Sequence, residues 1–203
     1  MDTRYDAVLF DFDGVLADTE VLHYSCWRRL LASRAVDLTW NNYLRVLSGY
    51  SGEELLARLS VLCPSSLNLD QIRSIYVQKK KLYRDLAPSS SLIPSTVATF
   101  VHGLPVICAV VTSSERADVE HVLLNSGLLS RFSAVVCRED IDEPKPAPDG
   151  YNKVLIALGV HHALAVEDSS AGVASARAAG LEVLQVPSPD AMPAMLADKL
   201  YGH

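Results

Sequence analysis

Five short apolar runs, at residues 7–10, 105–111, 133–137, 163–166 and 181–186, alternate with stretches whose apolar residues recur at helical spacing. Runs this short and this apolar suit strands buried on both faces. The helical stretches 117–128, 148–158 and 169–179 carry Gly127, Gly159 and Gly180 at or just past their ends. Glycine closes a helix there because it takes a left-handed backbone at little cost. Strand–helix–strand alternation with short links calls for parallel strands and right-handed crossovers. The expected fold is therefore α/β, a Rossmann-like parallel sheet with helices on both faces.

Residues 17–87 break that rhythm. Strand signal is nearly absent, and amphipathic helical patterns run over 23–35, 52–62 and 69–86. Pro88-Ser89-Ser90-Ser91 then reads as a linker before the strands resume. This predicts a core of residues 1–16 and 88–203 with an inserted helical cap over 17–87. Lys79, Lys80, Lys81 and Arg84 read as a solvated helix face, with a phosphate-steering patch as the alternative.

The first strand runs straight into Asp11-Phe12-Asp13-Gly14. Two carboxylates one residue apart repel, and both lose water in a cleft. A divalent cation and a phosphate in front of them would relieve the conflict. One carboxylate could then attack phosphorus while the other moves a proton. The same string also occurs in ordinary turns, and that reading stays open for the motif alone. A calcium-binding EF-hand loop does not fit, since its ligand positions fall on Val15 and Leu22.

Open α/β sheets gather ligands beyond the carboxyl ends of their strands, so the other strand ends matter. Residues 105–111 lead into Thr112-Ser113-Ser114, whose hydroxyls and N–H groups could hold phosphate oxygens or cap the next helix. Beyond 133–137, Lys145 stands between Pro144 and Pro146, which keep its backbone extended. It is either the charged tip of a surface loop or a fixed cation for phosphate. Residues 163–166 end in Glu167-Asp168, which suits a hard cation, although Asp168 or Ser169 could also cap a helix. Acids, hydroxyls, a lysine and acids at four converging strand ends predict magnesium-dependent phosphoryl transfer.

Length and charge narrow the alternatives. The 203 residues suffice for one substantial core plus an insertion. A formal charge of −6 argues against nucleic acid or an anionic membrane as partner. No apolar run is long enough to span a bilayer, and no signal peptide is read at the N-terminus. Cys26, Cys63, Cys108 and Cys137 are widely spaced and form no C-x-x-C pair. Neither a zinc site nor a disulfide framework is expected, and a reducing cytoplasm fits. The expected partner is a small phosphorylated metabolite, and the expected state is a monomer.

Four segments together resemble the haloacid dehalogenase superfamily, in its β-phosphoglucomutase-like phosphatase branch with a helical C1-type cap. They are D-F-D-G-V-L-A-D-T-E at 11–20, V-T-S-S at 111–114, K-P-A-P-D-G-Y at 145–151 and V-E-D-S-S-A-G-V-A-S-A-R-A-A-G at 166–180. The resemblance covers essentially the whole chain. It implies that Asp11 is the nucleophile and Asp13 the general acid/base. Thr112, Lys145 and the Ser113 amide would hold the phosphoryl group. Asp11, the backbone carbonyl of Asp13, Glu167 and Asp168 would gather around Mg2+. His23 and Trp27 match positions near the cap hinge, His23 facing substrate, although both also lie on a helix that must pack. The mutases of this branch carry a cap-loop arginine for a distal phosphate, and Gly52 stands at its place here. Asp13 disfavours a dehalogenase. The implied activity is hydrolysis of a small phosphomonoester, a sugar phosphate, through an aspartyl phosphate. A phosphomutase and a non-catalytic phosphate-binding protein are the alternatives.

Overall fold

A computed structural model describes residues 4–48, 50, 52–87 and 92–202. The serine-rich stretch 88–91, read as a linker, lies outside the described residues. In chain order the first elements are β1 (Ala7–Phe10), α1 (Glu20–Ala32), α2 (Trp40–Val46), α3 (Gly52–Leu62) and α4 (Leu69–Leu86). There follow α5 (Ser95–Gly103), β2 (Ile107–Val111), α6 (Arg116–Asn125), β3 (Ala134–Val136) and α7 (Asp149–Leu158). The last are β4 (Ala163–Glu167), α8 (Ser170–Ala178), β5 (Glu182–Gln185) and α9 (Met192–Tyr201). The chain divides into two compact units, residues 1–18 with 91–203, and residues 19–90.

The first unit holds the expected parallel sheet, in the order β3-β2-β1-β4-β5. The chain leaves β1 toward β2 and β3 on one side and later returns to β4 and β5 on the other. β1 is thus the central strand, and the reversal of order beside it opens a crevice at the strand ends. β1 and β4 are buried along their whole length, as the apolar runs 7–10 and 163–166 require, and β4 carries that burial one residue further to Glu167. One face of the sheet packs Ala7, Leu9, Ala109, Val111 and Ala165 against Tyr151 and Val154 of α7 and Ala176 of α8. α7 ends at Gly159, whose φ of 64° and N–H bonds to Leu155 O and Ile156 O make the expected left-handed stop.

β2, β3 and β5 are shorter than their apolar runs. Pro105 and Val106 lie outside β2, and Cys137 lies just past β3, where its N–H donates to Asp140 Oδ2 at 2.7 Å. All four cysteines are buried thiols, consistent with small core residues. α5 and α9 carry no separate expectation, because their short, mixed patterns do not stand out from the neighbouring apolar runs.

The second unit is helical, with no strand among its described residues. Its core packs Trp27 and Leu31 of α1, Tyr43 of α2, Leu55, Leu56 and Leu59 of α3, and Ile72 and Ile75 of α4. α4 starts at a reciprocal cap, with the Asn68 side chain accepting from Gln71 N at 2.9 Å and Gln71 Oε1 from Asn68 N at 2.8 Å. α1 begins three residues before His23 and stops at Ala32, since Ala35 takes a positive φ of 59°. One expectation is corrected here. Lys79 is not solvated: it is buried on the stripe of α4 that includes Ile72, Ile75 and Tyr83. The helical period places residue 79 two turns on from Ile72, so only Lys81 and Arg84 of the cluster are exposed.

Candidate active site

The sheet register places the strand-end residues side by side. Phe10 pairs with both Val110 and Val166, so Asp11 comes level with Val111 and Glu167. Neighbouring strands are about 4.8 Å apart, which brings side chains at these ends into direct contact. Asp11 N donates to Val166 O at 2.9 Å and Thr112 N to Val136 O at 2.9 Å, extending the ladders one residue into the site. Past Asp11 the chain turns tightly, with Gly14 N donating to Ala17 O at 2.9 Å and Gly14 at a φ of 77°. A Cβ on Gly14 would stand 2.2 Å from Asp168 Oδ2, so glycine is needed for conformation and for space.

Lys145 reaches back from its proline-flanked loop into the cluster. Its Nζ donates to Asp11 Oδ1 at 2.7 Å, Glu167 Oε1 at 2.6 Å and Val111 O at 2.9 Å. The side chain is only 9% exposed, which settles against a solvated loop tip. The loop is tied down around it. Ser175 Oγ donates to Ala147 O at 2.6 Å, Asp142 N to Asp149 Oδ2 at 2.7 Å, and Arg116 pairs with Asp140.

Carboxylate oxygens of Asp11, Glu167 and Asp168 lie within 4.8 Å of one another, a spacing that one cation can bridge. Three carboxylates against one ammonium leave a formal excess of two negative charges before Asp13 is counted. Burial pushes Asp11 well above the usual carboxylate range, Lys145 opposes this, and Glu167 and Asp13 add to it. Asp168 is pushed up to about 6 by burial and by Glu167. Burial also disfavours the charge on Lys145, but Asp11 and Glu167 outweigh it and hold its pKa above the lysine norm. Glu167 Oε2 is buried and without a hydrogen-bond partner among the described residues. An orphaned carboxylate oxygen and an uncompensated charge of two suit a divalent cation.

Of the other expected residues, Asp13 directs its side chain to Ser114, whose Oγ donates to Asp13 Oδ2 at 2.5 Å. The carbonyl of Asp13, not this carboxylate, is the group implied for the cation. Thr112 is buried, and its Oγ1 accepts from Ser114 N at 3.0 Å, while the Ser113 side chain is exposed. His23 lies on α1. It belongs to the helical unit, where its Nδ1 meets Lys79 Nζ at 2.6 Å and its ring stacks on Tyr83 at 4.4 Å between centroids. Burial, then Lys79, holds its pKa well below the usual value.

Two participants take partners that the sequence does not single out: Ser114, read with its neighbours as a phosphate or capping hydroxyl, meets Asp13, and Tyr151 meets Glu167. Ser114 is the third residue of a hydroxyl run, and nothing local tells which hydroxyl meets Asp13. Tyr151 is fully buried, and its Oη donates to Glu167 Oε1 at 2.6 Å. The available signal is that a tyrosine on a core-facing helix stripe must find a partner for its hydroxyl.

Comparison with known proteins follows the same lines. The sequence model described as haloacid dehalogenase-like hydrolase matches residues 8–186. Protein CbbY of Rhodobacter capsulatus is 32% identical, covering 90% of this chain and 85% of its own. The phosphorylated carbohydrates phosphatase of Thermotoga maritima is 28% identical over 87% of this chain and 82% of its own. A mutant of CbbY from Rhodobacter sphaeroides, solved in complex with xylulose-(1,5)bisphosphate, superposes with a TM-score of 0.73 at 28% identity. That match covers 91% of this chain and 87% of the other.

Proposed function

The chain belongs to the haloacid dehalogenase-like hydrolases and is a phosphoric monoester hydrolase, and from that premise we propose that it hydrolyses a small sugar phosphate with Mg2+ through a phosphorylated Asp11. The observation that carries this reading is the buried lysine–carboxylate cluster at the ends of β1, β2 and β4, with Lys145 Nζ 2.7 Å from Asp11. The substrate class rests on the relatives, one of which is named a phosphorylated carbohydrates phosphatase.

Asp11, Glu167 and Asp168, with the Asp13 carbonyl, would hold Mg2+, which supplies charge neutralisation for the phosphate oxygens. Asp11 attacks phosphorus, forming a new O–P bond as the ester O–P bond breaks. Asp13 gives its proton to the leaving sugar oxygen. As a carboxylate, Asp13 then takes a proton from water, whose oxygen attacks phosphorus and frees Asp11 and inorganic phosphate. Lys145 keeps a fixed positive charge beside the nucleophile, and Thr112 with the Ser113 amide receives the phosphoryl oxygens. Ser114 holds Asp13 in place between the two steps.

Hydrolysis is favoured over phosphate migration because Gly52, at a φ of 56°, offers no side chain to grip a second phosphate. The helical unit acts as the selecting cap in this reading, so substitution of His23 changes relative rates among substrates more than the chemistry they share. A screen of phosphorylated sugars, counting phosphate released with Mg2+ and with excess chelator, tests the assignment. Turnover that survives chelation overturns the metal role. Incubation with β-glucose 1-phosphate and a trace of the 1,6-bisphosphate tests the outcome. Fast formation of glucose 6-phosphate with little free phosphate would establish a mutase instead.

A further inference from the structure

Tyr151 lies on α7, within the apolar layer beneath the sheet, and its hydroxyl is the one polar group that this residue contributes there. The hydroxyl donates to Glu167 Oε1 at 2.6 Å, the same oxygen that accepts from Lys145 Nζ at 2.6 Å. Glu167 is completely buried, and its other oxygen, Oε2, has no hydrogen-bond partner among the described residues. On that side stands Gly172 of α8, where a Cβ would come within 1.9 Å of Oε2 and 2.3 Å of Oε1. The carboxylate is therefore held by two donors on one oxygen, while the absence of a side chain at Gly172 leaves it room.

We propose that Tyr151 is a positioning residue for the metal site, holding Glu167 so that one carboxylate oxygen remains free of protein donors for the cation. The proposal rests on the metal reading given above. Lys145 cannot do this alone, because its ammonium is shared among Asp11, Glu167 and the Val111 carbonyl. With the tyrosine donor gone, the Glu167 carboxylate is free to turn both oxygens toward the ammonium. A buried oxygen left without a donor costs on the order of 1–3 kcal/mol, so a fold keeps one where a ligand satisfies it. Groups that orient a ligating carboxylate govern metal affinity as strongly as many ligands do.

Tyr151→Phe isolates the hydroxyl. It keeps the ring, including the face that lies 5.5 Å from Lys145 Nζ, and removes one oxygen. The measurement is binding of Mn2+ alone to the metal-free protein, followed by electron paramagnetic resonance, with Mg2+ as competitor. Tyr151→Phe should weaken binding of both cations by about 10-fold to 100-fold. Equal affinity in the two proteins overturns the proposal and leaves the metal reading intact. If the wild-type protein binds neither cation, both fall together. 3-Fluorotyrosine at position 151 is the second variant, since it keeps the donor with nearly the same shape. It should bind within a few fold of wild type, and a loss matching that of Tyr151→Phe would point to packing and overturn the hydrogen-bond role. If Tyr151→Phe does not fold, 4-fluorophenylalanine at position 151, which fills the space of the hydroxyl without a donor, takes its place, and wild-type affinity there overturns the proposal.

Discussion

Each unit of the molecule buries a lysine, and the two side chains stand in different surroundings. In the sheet unit, Lys145 is paired with Asp11 and Glu167 in a cluster whose negative charge exceeds its positive charge. In the helical unit, Lys79 meets the imidazole of His23 and stands 5.7 Å from the centroid of Trp27 and 5.1 Å from that of Tyr83. The first arrangement is electrostatically incomplete by construction, which is how a ligand site is built. The second spreads a cation over aromatic faces and a neutral ring nitrogen, and keeps that imidazole from protonating.

The sharpest break between the two regions should come from Asp11→Asn. The amide is nearly isosteric and removes one charge from an over-negative cluster, so the fold should persist. It cannot form a stable acyl phosphate, and steady-state phosphate release should fall by about a thousandfold or more. A variant that keeps more than that fraction of the rate removes Asp11 from the nucleophile role.

Next in size is the contrast between Lys145→Met and Lys79→Met in urea melts of the metal-free protein. Lys145→Met leaves Asp11 and Glu167 buried and facing each other without their cation, which should cost about 3–5 kcal/mol. Lys79→Met loses cation–π contacts and a hydrogen bond but puts an apolar chain on an apolar stripe, for a net cost of about 1–2 kcal/mol. Phosphate release should collapse in the first variant. Equal destabilisation of the two would mean that the Lys145 cluster is no more strained than the aromatic one.

These two lysines also mark what the sequence discloses. Lys145 is legible because flanking prolines fix its backbone and because other strand ends supply matching chemistry. The sheet itself is legible because the runs 7–10 and 163–166 are unbroken and apolar, which suits strands buried on both faces. Lys79 is misread because three consecutive lysines look uniformly solvated, although helical phase puts only the first on the buried stripe. Tyr151 and Ser114 escape because a hydroxyl's partner is set by tertiary register, and the residues they meet are 16 and 101 positions away in sequence. Composition and periodicity carry no information at that distance.

The smallest expected effect is the most specific to the helical unit. Burial, reinforced by Lys79, depresses the His23 pKa well below its ordinary 6.5. In the folded protein its ring should therefore stay neutral from pH 8 down past 6, and its NMR ring resonances should not move over that range. In the unfolded chain the same imidazole takes up a proton as pH falls through about 6.5. The unfolded state then binds more protons, so stability contributed by neutral His23 is present above pH 6.5 and is lost as pH falls below it toward the folded pKa. Lys79→Met removes the smaller of the two causes and leaves burial, the larger, in place. Its His23 pKa should rise only part of the way toward 6.5, and the acid-side loss of stability should shrink in proportion. A His23 that titrates normally in the wild-type protein would mean that water reaches the ring, and the contrast between the two buried lysines would then lose its second half.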